Sequence, residues 1–91
     1  MASVLDENMV RAKVTELKPY PQNPRKGNID LIAESLKENG QFRPLIVQKS
    51  TNYVLGGNHT LYAAKKLKWK TIQVVYVDVD DDRAKRIVLA D

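Results

Sequence analysis

The chain has 91 residues, enough for one domain with a single modest hydrophobic core. It has no Cys and one His, which excludes disulfides and thiol chemistry and leaves a structural zinc site without ligands. No apolar run approaches the roughly 18 residues that a membrane-spanning helix needs, and the acidic start of the chain excludes a secretory signal peptide. We therefore expect a cytoplasmic protein that does not enter a membrane.

The charge is unevenly distributed along the chain. Residues 78–91 hold five acids and three bases, a net charge of −2, whereas residues 1–77 hold twelve bases and six acids, a net charge of +6. A basic body of this kind suits phosphate-bearing partners, either nucleotides or nucleic acid. The alternative is that the lysines only keep a small domain in solution.

The N-terminal part of the chain predicts a leader, a strand and an extended loop. Residues 1–8 are expected to be a flexible leader. Residues 9–17 alternate apolar and polar side chains, which is typical of a half-buried strand. Three prolines between residues 19 and 24 then predict an extended loop that presents Arg25.

The next segment, residues 29–40, has the start, the apolar stripe and the stop of a helix. Asn28 is a good N-cap, and Asp30 lies in the first turn, where the positive end of the helix dipole favours an acid. Gly40 provides a left-handed stop. The apolar stripe follows the spacing i, i+3, i+4, i+7 and consists of Ile29, Ile32, Ala33 and Leu36.

The second half of the chain predicts the rest of a small α/β (α+β) domain. Residues 45–47 and 53–55 indicate a hairpin, followed by a second helix over residues 59–68. Residues 71–77 are apolar at nearly every position, which indicates a central strand covered on both faces. Three consecutive aspartates from Asp80 begin a third helix. We expect a mixed sheet of about four strands with three helices.

The strongest candidate for a functional site is the junction Gly56-Gly57-Asn58-His59-Thr60. Two glycines let the backbone turn and be approached closely, and the first N–H groups of the following helix form a binding site for an anion. Asn58 and Thr60 can add donors, and the His59 ring can bond a phosphate oxygen or carry a proton near neutral pH. The alternative is an ordinary turn in which Asn58 caps the helix and His59 is a surface imidazole.

Several short segments, none of them specific alone, follow one another in a characteristic order. They are Asn23-Pro24-Arg25, residues 29–40, residues 44–47, residues 53–59, Ala63-Ala64, residues 72–77 and residues 86–91. This ordered set resembles the ParB/sulfiredoxin superfamily, in particular the N-terminal (ParB-like nuclease) domain of ParB-like proteins, in a form similar to that of phage proteins. The resemblance implies one domain over residues 9–91 that continues beyond the last residue.

The resemblance implies an α/β fold in which the strand–Gly-Gly–helix turn binds nucleotide phosphates. ParB proteins bind CTP there, sulfiredoxins bind ATP, and a serine kinase of the same fold uses ADP. Gly56, Gly57, Asn58 and His59 match the phosphate turn, and Arg25 matches the arginine that follows Asn-Pro. The resemblance thus implies a nucleoside di- or triphosphate, CTP or ATP, held together with Mg²⁺.

Three departures from the family pattern change what the resemblance implies. Asn58 stands where sulfiredoxin has its reactive cysteine, so reduction of sulfinic acids is excluded. Thr60 stands where an arginine is usual, which removes one phosphate contact. Arg43 precedes Pro44 where many ParB proteins carry a glutamine linked to CTP hydrolysis. The charge of Arg43 can replace that of the arginine missing at position 60, but without the glutamine the resemblance does not imply hydrolysis.

These observations lead to three functional hypotheses and leave the oligomeric state open, a homodimer included. The first is a nucleotide-binding module in which Arg25 and Arg43 face the phosphates. The second is a metal-dependent nuclease or a phosphotransferase in which His59 and Glu34 act as acid and base. The third is a DNA-binding module that uses Arg11, Lys13, Lys18, Arg25, Lys26, Lys65, Lys66, Lys68 and Lys70.

Overall fold

Five strands and three helices make up the part of the chain that the computed structural model describes, residues 9–21 and 28–90. The expected leader, residues 1–8, and Arg25 lie outside these residues. In chain order the elements are β1 (Met9–Lys13), a 3₁₀ turn (Val14–Glu16), β2 (Lys18–Pro19), α1 (Ile29–Asn39), β3 (Leu45–Gln48), β4 (Tyr53–Gly56), α2 (Asn58–Lys66), β5 (Thr71–Val77) and α3 (Asp81–Ala90).

The strands form one mixed sheet in the order β1-β5-β3-β4-β2. β5 pairs antiparallel with β1 and parallel with β3, so its interior position is confirmed. β3 and β4 form the expected antiparallel hairpin, and β2 pairs parallel with β4. The predicted α/β class with three helices is therefore confirmed.

The edge strands differ from the prediction. The strand predicted over residues 9–17 ends at Lys13, because the N–H of Val14 bonds the carbonyl of Lys70 at 3.0 Å and the chain turns inward there. The sheet has a fifth strand, β2, where prolines predicted only a loop. Pro19 is tolerated in it because an edge strand does not need every N–H group for pairing.

Helices cover both faces of the sheet. Along β4, Val54 packs with the core beneath α2, whereas Leu55 packs against α3, and both side chains are fully buried. α1 packs mainly on α2, where Ala33 and Leu36 contact Ala63. The sheet therefore has two hydrophobic faces, as expected for its apolar central strands.

The helix ends follow local rules. The Oδ1 atom of Asn28 accepts the N–H of Leu31 at 3.1 Å, which confirms the predicted N-cap of α1. The second helix runs over Asn58–Lys66 instead of residues 59–68, because Lys68 adopts a left-handed conformation with φ of 62°.

Across residues 9–21 and 28–90, none of the helices has the length and apolar character that crossing a bilayer requires.

Candidate functional site

The turn between β4 and α2 depends on the lack of a side chain at Gly57. Its backbone has φ of 90° and ψ of 27°, a left-handed conformation that glycine adopts without the steric penalty of a Cβ atom. A Cβ atom built at Gly57 would lie 2.5 Å from the Cδ2 atom of Leu45. Gly57 is therefore required both for the path of the chain and for the close packing of β3.

The first turn of α2 presents three N–H groups ahead of the helix ladder. The first bond of the ladder runs from the N–H of Leu61 to the carbonyl of Gly57, at 2.9 Å. The N–H groups of Asn58, His59 and Thr60 precede it, and no carbonyl inside the helix lies four residues before them, although His59 already has an interaction partner within the protein. The positive end of the helix dipole adds to the preference for an anion. His59 and Thr60 are both half-buried.

The side chain of Asn58 points into the protein and does not cap the helix. It is 5% exposed, its Oδ1 atom accepts the N–H of Tyr20 at 3.1 Å, and its Nδ2 atom donates to the carbonyl of Val54 at 2.8 Å. Gly57 occupies the N-cap position instead. The interpretation of Asn58 as an ordinary N-cap is therefore wrong, and its carboxamide is engaged with protein groups.

Arg43 is two residues before Leu45, in the segment that leads into β3, and β3 begins next to the end of β4. Ile46 pairs with Gly56, and Leu45 packs under the turn, so the segment just before β3 borders it. Arg43 itself is exposed. That its charge faces the same ligand stays a prediction.

The carboxamide of Gln41 holds the segment that carries Arg43. The Nε2 atom of Gln41 donates to the carbonyls of Arg43 and Gln73, both at 2.9 Å, and its Oε1 atom accepts the N–H of Gln73 at 2.9 Å. The side chain thus acts as one extra residue of β3 in its pairing with β5. The backbone of Arg43 is fixed by these bonds.

The loop predicted to present Arg25 leaves β2 at the same end of the sheet. β2 runs parallel to β4, and the next residue, Tyr20, is bonded to Asn58 at the start of α2. The ring of Tyr20 meets the ring of Tyr53 edge to face, with centroids 5.9 Å apart. The loop therefore starts beside the turn.

Glu34, the predicted carboxylate partner of His59, is exposed on α1. Within residues 9–21 and 28–90, no group of three or more His, Asp or Glu side chains could hold a metal ion. The pairing of Glu34 with His59 therefore stays a prediction.

Two side chains that hold the site were not predicted in these roles. Gln41 carries no sequence signal, since a polar residue after an Asn-Gly turn is ordinary in any loop. Asn58 carries a misleading one, because an asparagine at the start of a helix usually caps it. Only the three-dimensional pairing identifies their partners.

The model of the ParB N-terminal domain family matches residues 2–91. Two curated relatives are named as probable chromosome-partitioning proteins ParB. The one from Helicobacter pylori is 28% identical over 89% of this chain, and the one from Campylobacter jejuni is 31% identical over 85%. Each alignment covers 30% of the relative, so the chain spans about a third of their length.

Solved structures share the fold. The ParB of Caulobacter crescentus, complexed with CTP-γ-S, matches with a TM-score of 0.79 and 21% identity over 89% of this chain and 50% of that one. Sulfiredoxin from Arabidopsis thaliana matches with a TM-score of 0.71 and 16% identity over 88% of this chain and 96% of that one. The resemblance to the ParB/sulfiredoxin superfamily is thereby confirmed, and the chain belongs to the ParB N-terminal domain family.

Proposed function

We propose that this domain binds the phosphates of a nucleoside di- or triphosphate at the turn between β4 and α2. The observation that carries the proposal is the left-handed Gly57, which directs the chain from β4 straight into the N-terminus of α2. Backbone N–H groups at a helix N-terminus suit phosphate oxygens through both hydrogen bonding and the dipole. The CTP analogue bound by the Caulobacter relative supports a nucleotide as the ligand.

Each residue of the proposed site has a distinct part. Asn58 contributes its backbone N–H, because its carboxamide bonds Tyr20 and Val54. His59 contributes its imidazole and Thr60 its hydroxyl and N–H, both from the first turn of α2. Gly56, the buried last residue of β4, and Gly57, which permits the left-handed turn, direct the chain into the first turn of α2.

The two arginines contribute positive charge. Arg43, in the segment that leads into β3, is proposed to bind a phosphate oxygen, since guanidinium groups bind phosphates with paired hydrogen bonds. Arg25, which follows β2 in the sequence, is proposed as the second cation. Mg²⁺ would accompany the phosphates and offset their negative charge, a role that needs few protein ligands.

The protein that contains this domain is proposed to act on DNA in the cytoplasm. The relatives named as partitioning proteins support a partition protein, with phage and DNA-modification proteins as the other types considered. The catalytic alternative is not adopted, because no observation on residues 9–21 and 28–90 favours Glu34 as a partner of His59.

Calorimetric titration of the domain with CTP, ATP, ADP and GTP, each with and without Mg²⁺, tests the nucleotide proposal. We expect at least one of them to bind with a Kd below 1 mM. Arg43→Gln should weaken that binding at least about fivefold, the equivalent of about 1 kcal/mol. Arg83→Gln, which removes an exposed charge on α3, is the matched control and should leave affinity unchanged.

Failure to bind any of the four nucleotides below the millimolar range would end the proposal. An equal effect of Arg43→Gln and Arg83→Gln would show that only overall charge matters. His59→Ala with unchanged affinity would remove His59 from the site, and Thr60→Val tests the hydroxyl of Thr60 in the same way.

A further inference from the structure

A cluster of cations surrounds Trp69 at the end of the sheet where β1 finishes and β5 begins. Two grooves meet at Trp69, one of about 850 Å³ and one of about 400 Å³. The described residues that line them include no Asp or Glu. The cations of this lining, here named the Trp69 cluster, are Arg11, Lys13, Lys65, Lys68 and Lys70.

The charges of the Trp69 cluster are not offset by neighbouring acids. Within residues 9–21 and 28–90, none of its members forms an ion pair with a carboxylate. Arg11 has one side-chain contact, a long hydrogen bond of 3.4 Å to the hydroxyl of Thr71. By contrast, the neighbouring Lys66 is paired with Asp30. The grooves therefore carry an uncompensated positive charge.

Backbone hydrogen bonds fix the loop that carries part of the cluster. The N–H of Trp69 bonds the carbonyl of Ala64, and the carbonyl of Lys70 accepts the N–H of Val14, both at 3.0 Å. Lys68 sits between them with φ of 62°, a left-handed conformation that glycine or asparagine adopts more easily. The backbone of residues 68–70 is therefore held in place by these bonds.

The geometry favours an extended phosphate chain over other anions. Arg11 and Lys13 lie on the same face of β1, about 6.6 Å apart along the strand. The ring of Trp69 is half-buried and packs against both α2-side core clusters, so it is engaged with protein and does not provide a stacking surface for bases. Firm binding to a membrane surface is helped by apolar side chains that enter it, and the described lining has no exposed large hydrophobic residue.

We propose that the Trp69 cluster binds the phosphate backbone of duplex DNA without reading its sequence. We choose duplex DNA over single-stranded DNA because the duplex carries one negative charge per 1.7 Å of its axis, twice the linear charge density of one strand. The proposal deepens the hypothesis of DNA binding through a basic surface, and it does not depend on the nucleotide site at Gly57.

Fluorescence anisotropy of a labelled 24-base-pair duplex of arbitrary sequence, titrated with the 91-residue chain, tests the proposal. With five phosphate contacts, log K should fall with log[NaCl] with a slope of about −4.5. The affinity should then drop about 500-fold between 50 and 200 mM NaCl.

A charge-matched pair of variants locates the contact. Lys65→Gln/Lys70→Gln should reduce the slope to about −2.7, because two of five phosphate contacts are lost. Lys37→Gln/Lys49→Gln removes the same charge from exposed positions outside both grooves and should keep the slope of the parent chain. Circular dichroism establishes that both variants are folded.

Each remaining outcome overturns the proposal in a distinguishable way. An equal loss in both variants would show that net charge, not the Trp69 cluster, drives binding. If the chain binds single-stranded DNA, or phosphatidylserine vesicles, more tightly than duplex DNA at the same salt concentration, then duplex DNA is not the partner. No binding at 50 mM NaCl would end both this proposal and the broader DNA hypothesis, while nucleotide titration of the same sample would still report on the Gly57 site.

Discussion

Replacing Gly57 by alanine should destabilise the domain for two separable reasons. An L-residue in the left-handed conformation of Gly57 costs about 1–2 kcal/mol. Its Cβ atom would also lie 2.5 Å from the Cδ2 atom of Leu45, and forcing an extra carbon into a packed core costs about 1–3 kcal/mol. We therefore expect Gly57→Ala to lower the free energy of unfolding by about 2–5 kcal/mol.

The packing part of this effect depends on one side-chain branch. Leu45→Val removes the Cδ2 atom, so Gly57→Ala in that background should cost only the backbone part, about 1–2 kcal/mol. The matched control is Gly40→Ala. Gly40 also has a positive φ, 77°, but a Cβ atom there meets nothing within 4 Å. The loss of unfolding free energy caused by Gly40→Ala should therefore be the same with leucine and with valine at position 45.

Urea unfolding, followed by the fluorescence of the single tryptophan Trp69 and by far-UV circular dichroism, measures all of these variants. The reasoning is refuted if Gly57→Ala costs the same with Leu45 and with Leu45→Val, or if it costs less than about 0.5 kcal/mol. If the proposed function is right, Gly57→Ala should also weaken nucleotide binding, measured on the folded variant in the absence of urea. Gly40→Ala should not weaken it.

Three further substitutions test the contacts around the site, each by the same urea assay. Asn58→Ala leaves the N–H of Tyr20 and the carbonyl of Val54 without their partner and should cost about 2–4 kcal/mol; a cost near zero would mean that water replaces the carboxamide. Gln41→Ala removes three bonds to backbone and should cost about 1–3 kcal/mol, and Gln41→Glu should cost at least as much, because its second carboxylate oxygen would face the carbonyl oxygens of Arg43 and Gln73. Lys66→Ala breaks an exposed ion pair and should cost less than about 1 kcal/mol; a larger loss would show that the pair orders α1 against α2.

The elements that the sequence predicts well are those with local signals. α1 follows from the cap at Asn28 and an apolar stripe, and β5 follows from its apolar run, so both were located within a residue or two. β2 could not be predicted, because its two residues become a strand only by pairing with Tyr53 and Val54 on β4. That pairing is a tertiary contact without a local pattern.

The same distinction holds at the candidate site. The requirement for Gly57 is visible in the sequence as a glycine pair before a helix, although the close approach of Leu45 is not. The partner of the Asn58 carboxamide, Tyr20, is 38 residues away, and the partner of Gln41, Gln73, is 32 residues away. A local rule assigns such side chains to caps or to solvent, and only the assembled sheet shows otherwise.

The bond between Tyr20 and Asn58 has a consequence for measurement. The amide proton of Tyr20 is protected by a side chain on α2 and not by a strand neighbour. Its exchange with deuterium therefore requires the start of α2 to separate from the segment after β2. The amide resonance of Tyr20 thus reports how often the start of α2 separates from the segment after β2. It can be followed in the isolated chain and in the presence of any ligand that binds there.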